Sequence, residues 1–212
     1  MKRRDFLKLC GGAALCAGAG ALPAAETATK PYPRVRLVDG DGHPLAAARL
    51  TGSTGLIFHY PYAGTPAMLL DLGRKVPGGL GPSGGIVAFS AICTHQFAYP
   101  TAALSAINYR PGEGGKPGRI DCCLHGSVYD PAQGGAVVTG PAPRPLTAIV
   151  LEVDGDGLLA LGTRGPEVYA AFFRTFKREL REHYGRGGAE QVVEGEARAE
   201  LAAEYSRAQV KC

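Results

Sequence analysis

Tryptophan is missing from this sequence, and the composition leans instead on glycine (31) and proline (16). That balance argues against a bundle of long helices and suits short strands joined by many turns. Surplus charge is nearly missing too. The formal net charge is +4, but Lys2, Arg3, Arg4 and Lys8 against Asp5 supply +3 of it, leaving +1 for the rest. That leaves no electrostatic footprint for nucleic acid. The apolar run from Leu9 to Leu22 is rich in Gly and Ala and falls below the ~20 residues of a spanning helix. Leu9 and Leu15 precede Cys10 and Cys16 where a lipid-attachment signature has a small residue. In "GEGGKPG", Pro117 follows Lys116 where a phosphate loop needs Ser or Thr. The two "VDGDG" stretches, 38–42 and 153–157, lack the remaining ligands of a calcium loop and read as turns. No nucleophile–base pair and no substrate-pocket signature stand out, so the chain carries no evident catalytic constellation of its own.

What is present begins at the N-terminus. "MKRRDFLKLCGGAALCAGAGALPAA" sets adjacent arginines before a weak apolar run and small residues, the pattern of a bacterial twin-arginine signal over residues 1–25. That route exports proteins already folded, often with a cofactor inserted. The segment is either cleaved on export to the periplasm or kept as an inner-membrane anchor. At 212 residues the chain has room for one domain and an extension.

Beyond the leader, "RVRLV" alternates at period two, and "GLIFHYPY", "PAMLLDLG" and "RIDCC" read as strands. "GGIVAFSAI" is a buried strand running straight into Cys93, and "TAIVLEVDGDGLLALG" is a hairpin. Residues 101–118 read as a long excursion. From Pro166 the character changes to helix. Tyr169, Phe172, Phe173, Phe176, Leu180 and Tyr184 share one face of a segment ending at Gly185, and an Ala/Glu-rich stretch predicts a second helix over 188–209. The aromatic stripe packs either on its own domain or on a partner subunit.

The chemistry sits in "AICTHQFAYP" and "DCCLHGSVYD". Cys93 and His95 form C-x-H; Cys122 and His125 form C-x-x-H. Two thiolates and two imidazoles on two loops suit a tetrahedral structural zinc, or a [2Fe–2S] cluster with both cysteines on one iron and both histidines on the other. His43, His59 and His183 are not assigned as ligands. His59 reads as a satisfied strand residue or a contact near the metal.

"CTH", "CCLHGSVYD" and "GPAPRPL" together resemble a Rieske iron–sulfur protein, the likeness covering residues 33–165. It implies an all-β antiparallel sandwich with a small cluster-binding subdomain, flanked here by the leader and by a helical extension over 166–212. It further implies that Cys93 and Cys122 bind the inner iron and His95 and His125 the outer one. Gly126 would permit a tight turn, and Ser127 and Tyr129 would bond to a bridging sulfide and a cysteine sulfur. Gly140, Pro141, Ala142 and Pro143 would form the loop covering the cluster. One departure matters: many respiratory Rieske proteins join their two loops by a disulfide, and Ala98 and Leu124 stand at those positions here. The missing bridge removes a constraint of about 2–4 kcal/mol, for which the 101–118 excursion is expected to compensate. Cys123, one residue away, is expected to be a buried free thiol, with Cys212 a remote partner for it.

Replacing thiolates by neutral imidazoles favours electron uptake, placing such centres at about −150 to +300 mV. With both hydroxyls present, the upper part of that range is expected. The likeness is greatest to the small subunit of arsenite oxidase, which relays electrons between a molybdenum subunit and a cytochrome c-type acceptor. The quinol-oxidising Rieske subunit of cytochrome bc complexes, partnered by cytochrome b, is the alternative. A ring-hydroxylating oxygenase would need a 2-His-1-carboxylate iron domain, and after Gly165 only His183 is left to supply one.

Overall fold

The computed structural model describes residues 28–50, 55–114 and 116–212; the leader expected at 1–25 lies outside them. Twelve strands form among the described residues. Eight build one sheet: β1 (Thr29–Val38), β2 (Leu56–His59), β3 (Pro66–Asp71), β4 (Ile86–Ser90), β9 (Ala148–Asp154), β10 (Gly157–Arg164), β11 (Gly195–Arg198) and β12 (Glu200–Leu201). Their order is β11-β1-β10-β9-β4-β3-β2-β12. The other four, β5 (Ile107–Arg110), β6 (Arg119–Cys122), β7 (Ser127–Asp130) and β8 (Ala136–Thr139), form a meander inserted between β4 and β9. All pairings are antiparallel except β1 with β11. The expected all-β arrangement with a small subdomain is therefore what the chain adopts.

Burial explains the strand patterns. In β1, Val35 and Leu37 point into the core while Arg34 is exposed, as period two requires. β3 shows no such alternation because both its faces are covered. Ala67 and Leu69 join the core inside the large sheet, whereas Met68 and Leu70 pack with Ile107, Ile120 and Phe89 between the two sheets. That second core also contains Cys93 and Cys122. The excursion at 101–118 is thus partly a strand, β5, which pairs with β6 along Ile107–Cys122 to Arg110–Arg119.

The segment after Pro166 departs from expectation. The single helix up to Gly185 is two, α1 (Tyr169–Thr175) and α2 (Lys177–Tyr184), broken at Phe176. The Thr175 hydroxyl donates back to the Ala171 carbonyl at 2.9 Å, a bond that bends helices. The aromatic stripe packs on its own domain: Tyr169 and Phe172 are buried with Ile92 and Val168.

The helix expected over 188–209 does not form. Its residues supply β11 and β12, and only a 3-10 turn (Gly188–Glu190) and a short α3 (Ala202–Tyr205) are helical. β11 and β12 are separated by Ala199 alone, yet they extend opposite edges of the large sheet, beside β1 and β2. The tail thereby draws those edges together and nearly closes the sheet. Two open edges with unpaired backbone groups outweigh the helix propensity of an Ala/Glu-rich run. The sheet consequently crosses the change of sequence character at Gly165.

Candidate metal centre

Cys93 follows β4, and Cys122 ends β6; both are fully buried. Each opens a loop closed in the same way. The Phe97 N–H donates to the Cys93 carbonyl at 3.0 Å, and the Gly126 N–H donates to the Cys122 carbonyl at 2.9 Å. Both donors have left-handed backbones, φ 57° at Phe97 and 76° at Gly126. Glycine accepts that conformation freely. Phe97 is held in it while its ring packs against the aromatic cluster around Phe172.

The four expected ligand residues meet at the loop ends as two pairs. The thiols are in contact, and the hydrogen bond they share lowers the pKa of Cys93 and raises that of Cys122. The imidazoles of His95 and His125 stand edge to face with centroids 4.9 Å apart. His125 is exposed and His95 half-buried, but His95 Nδ1 is buried without a hydrogen-bond partner. Such an orphan buried nitrogen suits a ligand atom.

The pairs do not converge on one point. Donors around a tetrahedral zinc stand about 3.5 Å apart. Among the described residues, the one group of three or more ligand atoms mutually within 4.8 Å is Asp39, Asp41 and His43, in the turn after β1. No three of Cys93, His95, Cys122 and His125 come that close. A thiol pair and a separate imidazole pair fit two metals ligated unequally, not a single ion.

Around the thiols lies a polar shell that spacing alone does not reveal. The Tyr129 hydroxyl is 3.2 Å from Cys93 Sγ and accepts from the Thr94 N–H at 3.2 Å. The Thr94 hydroxyl donates to the Arg144 carbonyl at 2.6 Å and stands 3.3 Å from the Tyr129 hydroxyl, so the Tyr129 proton faces two acceptors, Thr94 Oγ1 and Cys93 Sγ, of which a Cys93 thiolate is the stronger. Burial raises the Tyr129 pKa, so that proton stays in place. Ser127 Oγ accepts from the Ala142 N–H at 3.1 Å, leaving its own hydrogen free to donate. That bond also pins the Gly140–Pro143 loop onto the second ligand loop. Gly140 has φ 92°, and a Cβ there would lie 2.4 Å from the Gly126 carbonyl oxygen. Only glycine fits so close an approach. Thr94 sits within the recognised "CTH", yet its bonding role had no signal in the spacing.

Two other expectations resolve. His59, on β2, bonds through Nε2 to the Tyr205 hydroxyl at 3.1 Å while its Nδ1 is buried without a hydrogen-bond partner, so it is a strand residue only half satisfied. Cys123 is not a free thiol: it is disulfide-bonded to Cys212.

The comparisons with known proteins agree with the geometry. The Rieske [2Fe-2S] domain model matches residues 61–152. The chain is 35% identical to iodate reductase subunit IdrB of Denitromonas iodatirespirans over 168 residues, covering 78% of this chain and 82% of that one. It is 31% identical to iodate reductase subunit IdrB of Pseudomonas sp. (strain SCT) over 169 residues, covering 78% and 80% respectively. Among solved structures, the soluble domain of Rieske protein II (soxF) from Sulfolobus acidocaldarius aligns with a TM-score of 0.47 and 28% identity, over 62% of this chain and 78% of that one.

Proposed function

Because this chain belongs to the Rieske [2Fe–2S] family, we propose that it is the one-electron relay subunit of an oxidoreductase complex whose larger partner transforms a small oxoanion such as iodate. Its cofactor is a Rieske-type [2Fe–2S] cluster, which supplies a one-electron couple when bound. Cys93 and Cys122 would hold the inner iron, and His95 and His125 the outer one.

The observation that carries this reading is the polarity of the site. Both thiols are buried, whereas His125 is exposed and His95 half-buried, so the short way in and out for electrons is at the histidine end. Leu124 and Val138, 52% and 62% exposed, present apolar surface on the loop and strand around it. Such residues suit contact with a second redox protein. The rest of the chain excludes water from the sulfurs and directs hydroxyl protons toward them. Those bonds draw charge off sulfur and favour the reduced state, setting the potential in the upper part of the Rieske range.

The partner assignment is supported by the two IdrB relatives, each matched over about four fifths of its length. In a reductase, electrons pass from a cytochrome c-type donor through this subunit to the catalytic partner, conceived here as a molybdenum subunit. An arsenite-oxidase-like complex would run the same wire in reverse. The leader implies folded export to the periplasm. Among the described residues no helix is long and apolar enough to cross a membrane.

The test is co-purification from the native host under conditions that keep the leader's fate visible. Iron and acid-labile sulfide in the chain, a Rieske EPR signal on reduction, and reoxidation of that signal by iodate in the co-purified complex are expected. A colourless chain with one divalent ion overturns the cofactor assignment. Quinol oxidation blocked by a bc-complex inhibitor would place the chain with cytochrome b instead.

A further inference from the structure

The C-terminal run, having closed the large sheet through β11 and β12, continues to the cluster subdomain. There it is bonded residue by residue to the stretch that leaves the first ligand loop. The Ser206 hydroxyl donates to the Thr101 carbonyl at 2.7 Å, and the Arg207 N–H to the Ala102 carbonyl at 3.0 Å. The Ser105 N–H donates to the Ala208 carbonyl at 2.8 Å, and the Val210 N–H to the Ser105 carbonyl at 2.9 Å. The run ends at Cys212, bonded to Cys123, 89 residues earlier in the chain. Cys123 lies between Cys122 and His125, and its N–H donates to the Ala106 carbonyl at 2.8 Å. Beside the staple, the buried Asp121 carboxylate accepts from Arg119 at 2.9 Å, with Arg110 3.8 Å away.

The second ligand loop needs such an anchor. Leu124, His125 and Gly126 are all exposed, so apolar packing does little to fix them. Ala98 and Leu124 occupy the positions at which, by the resemblance, many respiratory Rieske proteins bridge loop to loop.

We propose that Cys123 and Cys212 are positioning residues for the cluster: the C-terminal run, residues 206–212, is a strap stapled at its end to the second ligand loop, and it replaces the loop-to-loop bridge. The first loop is then connected to the second indirectly, through residues 101–106. This rests on ligation by Cys122 and His125, and the experiment separates the two.

The full chain is prepared with its cluster as wild type, Cys123→Ser, Cys212→Ser and the double variant. The three variants are expected to behave alike, because one bond has two ends. Each should bleach at a fixed temperature faster by on the order of tenfold, within what closing so long a loop can contribute. Each should also show a broadened Rieske EPR spectrum, which general loss of stability would not produce in the protein still folded. Adding Ala98→Cys and Leu124→Cys to the double variant should restore both the bleaching rate and the line shape. Wild-type bleaching and an unchanged spectrum in the single variants overturn the proposal. So does faster bleaching that the transplanted bridge fails to rescue, which would make the tail a clamp on the fold alone. A wild-type chain lacking iron and sulfide would instead sink the ligand assignment.

Discussion

The first ligand loop, residues 93–98, and the second, residues 122–127, share a backbone design but are held by different forces. In each, an N–H four residues past a buried cysteine returns to that cysteine's carbonyl from a left-handed conformation. Around the first loop, beyond the bonds of Thr94 to Tyr129 and Arg144, the support is mainly apolar. Phe97 packs against the aromatic cluster, and Tyr99 stands 4.9 Å from Phe172 and 5.0 Å from Phe176 between ring centroids. The second loop has exposed residues at its tip and is held from outside by the Gly140 loop, the Ser127 bond and the Cys123–Cys212 disulfide. One geometry is thus reached by packing on one side and by directional and covalent bonds on the other. The two loops should fail under different insults.

The largest effect is expected on the second loop. Gly140→Val places a branched side chain at φ 92°, against backbone atoms of Gly126 and Ser127 at 2.4 and 2.5 Å. Neither can move without displacing His125 or Ser127. Iron and sulfide per chain should fall to near zero, while circular dichroism shows the strands intact. Phe172→Ala acts on the other side by removing the ring beneath Tyr99. It should cost about 3–5 kcal/mol in denaturant unfolding, and molecules still folded should keep a normal EPR spectrum. If Phe172→Ala emptied the site in folded protein, or Gly140→Val unfolded it, the division of support would be wrong.

Tyr129 sharpens the comparison because it joins the loops: it rises from the second loop's strand and touches Cys93 and Thr94 of the first. Tyr129→Phe removes a proton donor to sulfur without removing volume. The midpoint potential should fall by tens of millivolts, where about 59 mV corresponds to a factor of ten for one electron. Ser127→Ala should lower it further. Protein-film voltammetry reads both, and an unchanged midpoint in the double variant would contradict the assigned direction of these hydrogen bonds.

How much of this was legible beforehand depends on range. The strands showed because alternation is a local signal, and the ligand loops because Cys93, His95, Cys122 and His125 lie in two short motifs. The tail was misread because an Ala/Glu-rich run carries helix propensity, whereas the sheet edges that capture it are more than a hundred residues away in sequence. Cysteine pairing is likewise invisible to spacing: Cys123 and Cys212 meet only once the strap has been laid down. Phe97 gave no warning of its backbone, since the usual marker of a left-handed residue is glycine, as at Gly126.

The smallest effect tests the strap with acid. His59 on β2 bonds to Tyr205 in α3, the last element before the stretch that reaches Cys212. Burial, with His183 adding repulsion, lowers the His59 pKa below its ordinary 6.5, while burial raises that of Tyr205. At neutral pH the bond therefore joins a phenol to a neutral imidazole. Between the folded and unfolded pKa values of His59 the unfolded chain binds more protons, so stability rises with pH there. The contribution is fully present above about 6.5 and is lost as pH falls. His59→Gln keeps an acceptor and removes the titration. Its melting temperature should depend less steeply on pH below neutrality than that of the wild type, because the cluster imidazoles are common to both proteins and cancel in the comparison. In the acid limb, cluster loss from the wild type should begin with the second loop, whose anchor this strap carries. Parallel slopes for the two proteins would mean that His59 is not what couples acid to the tail.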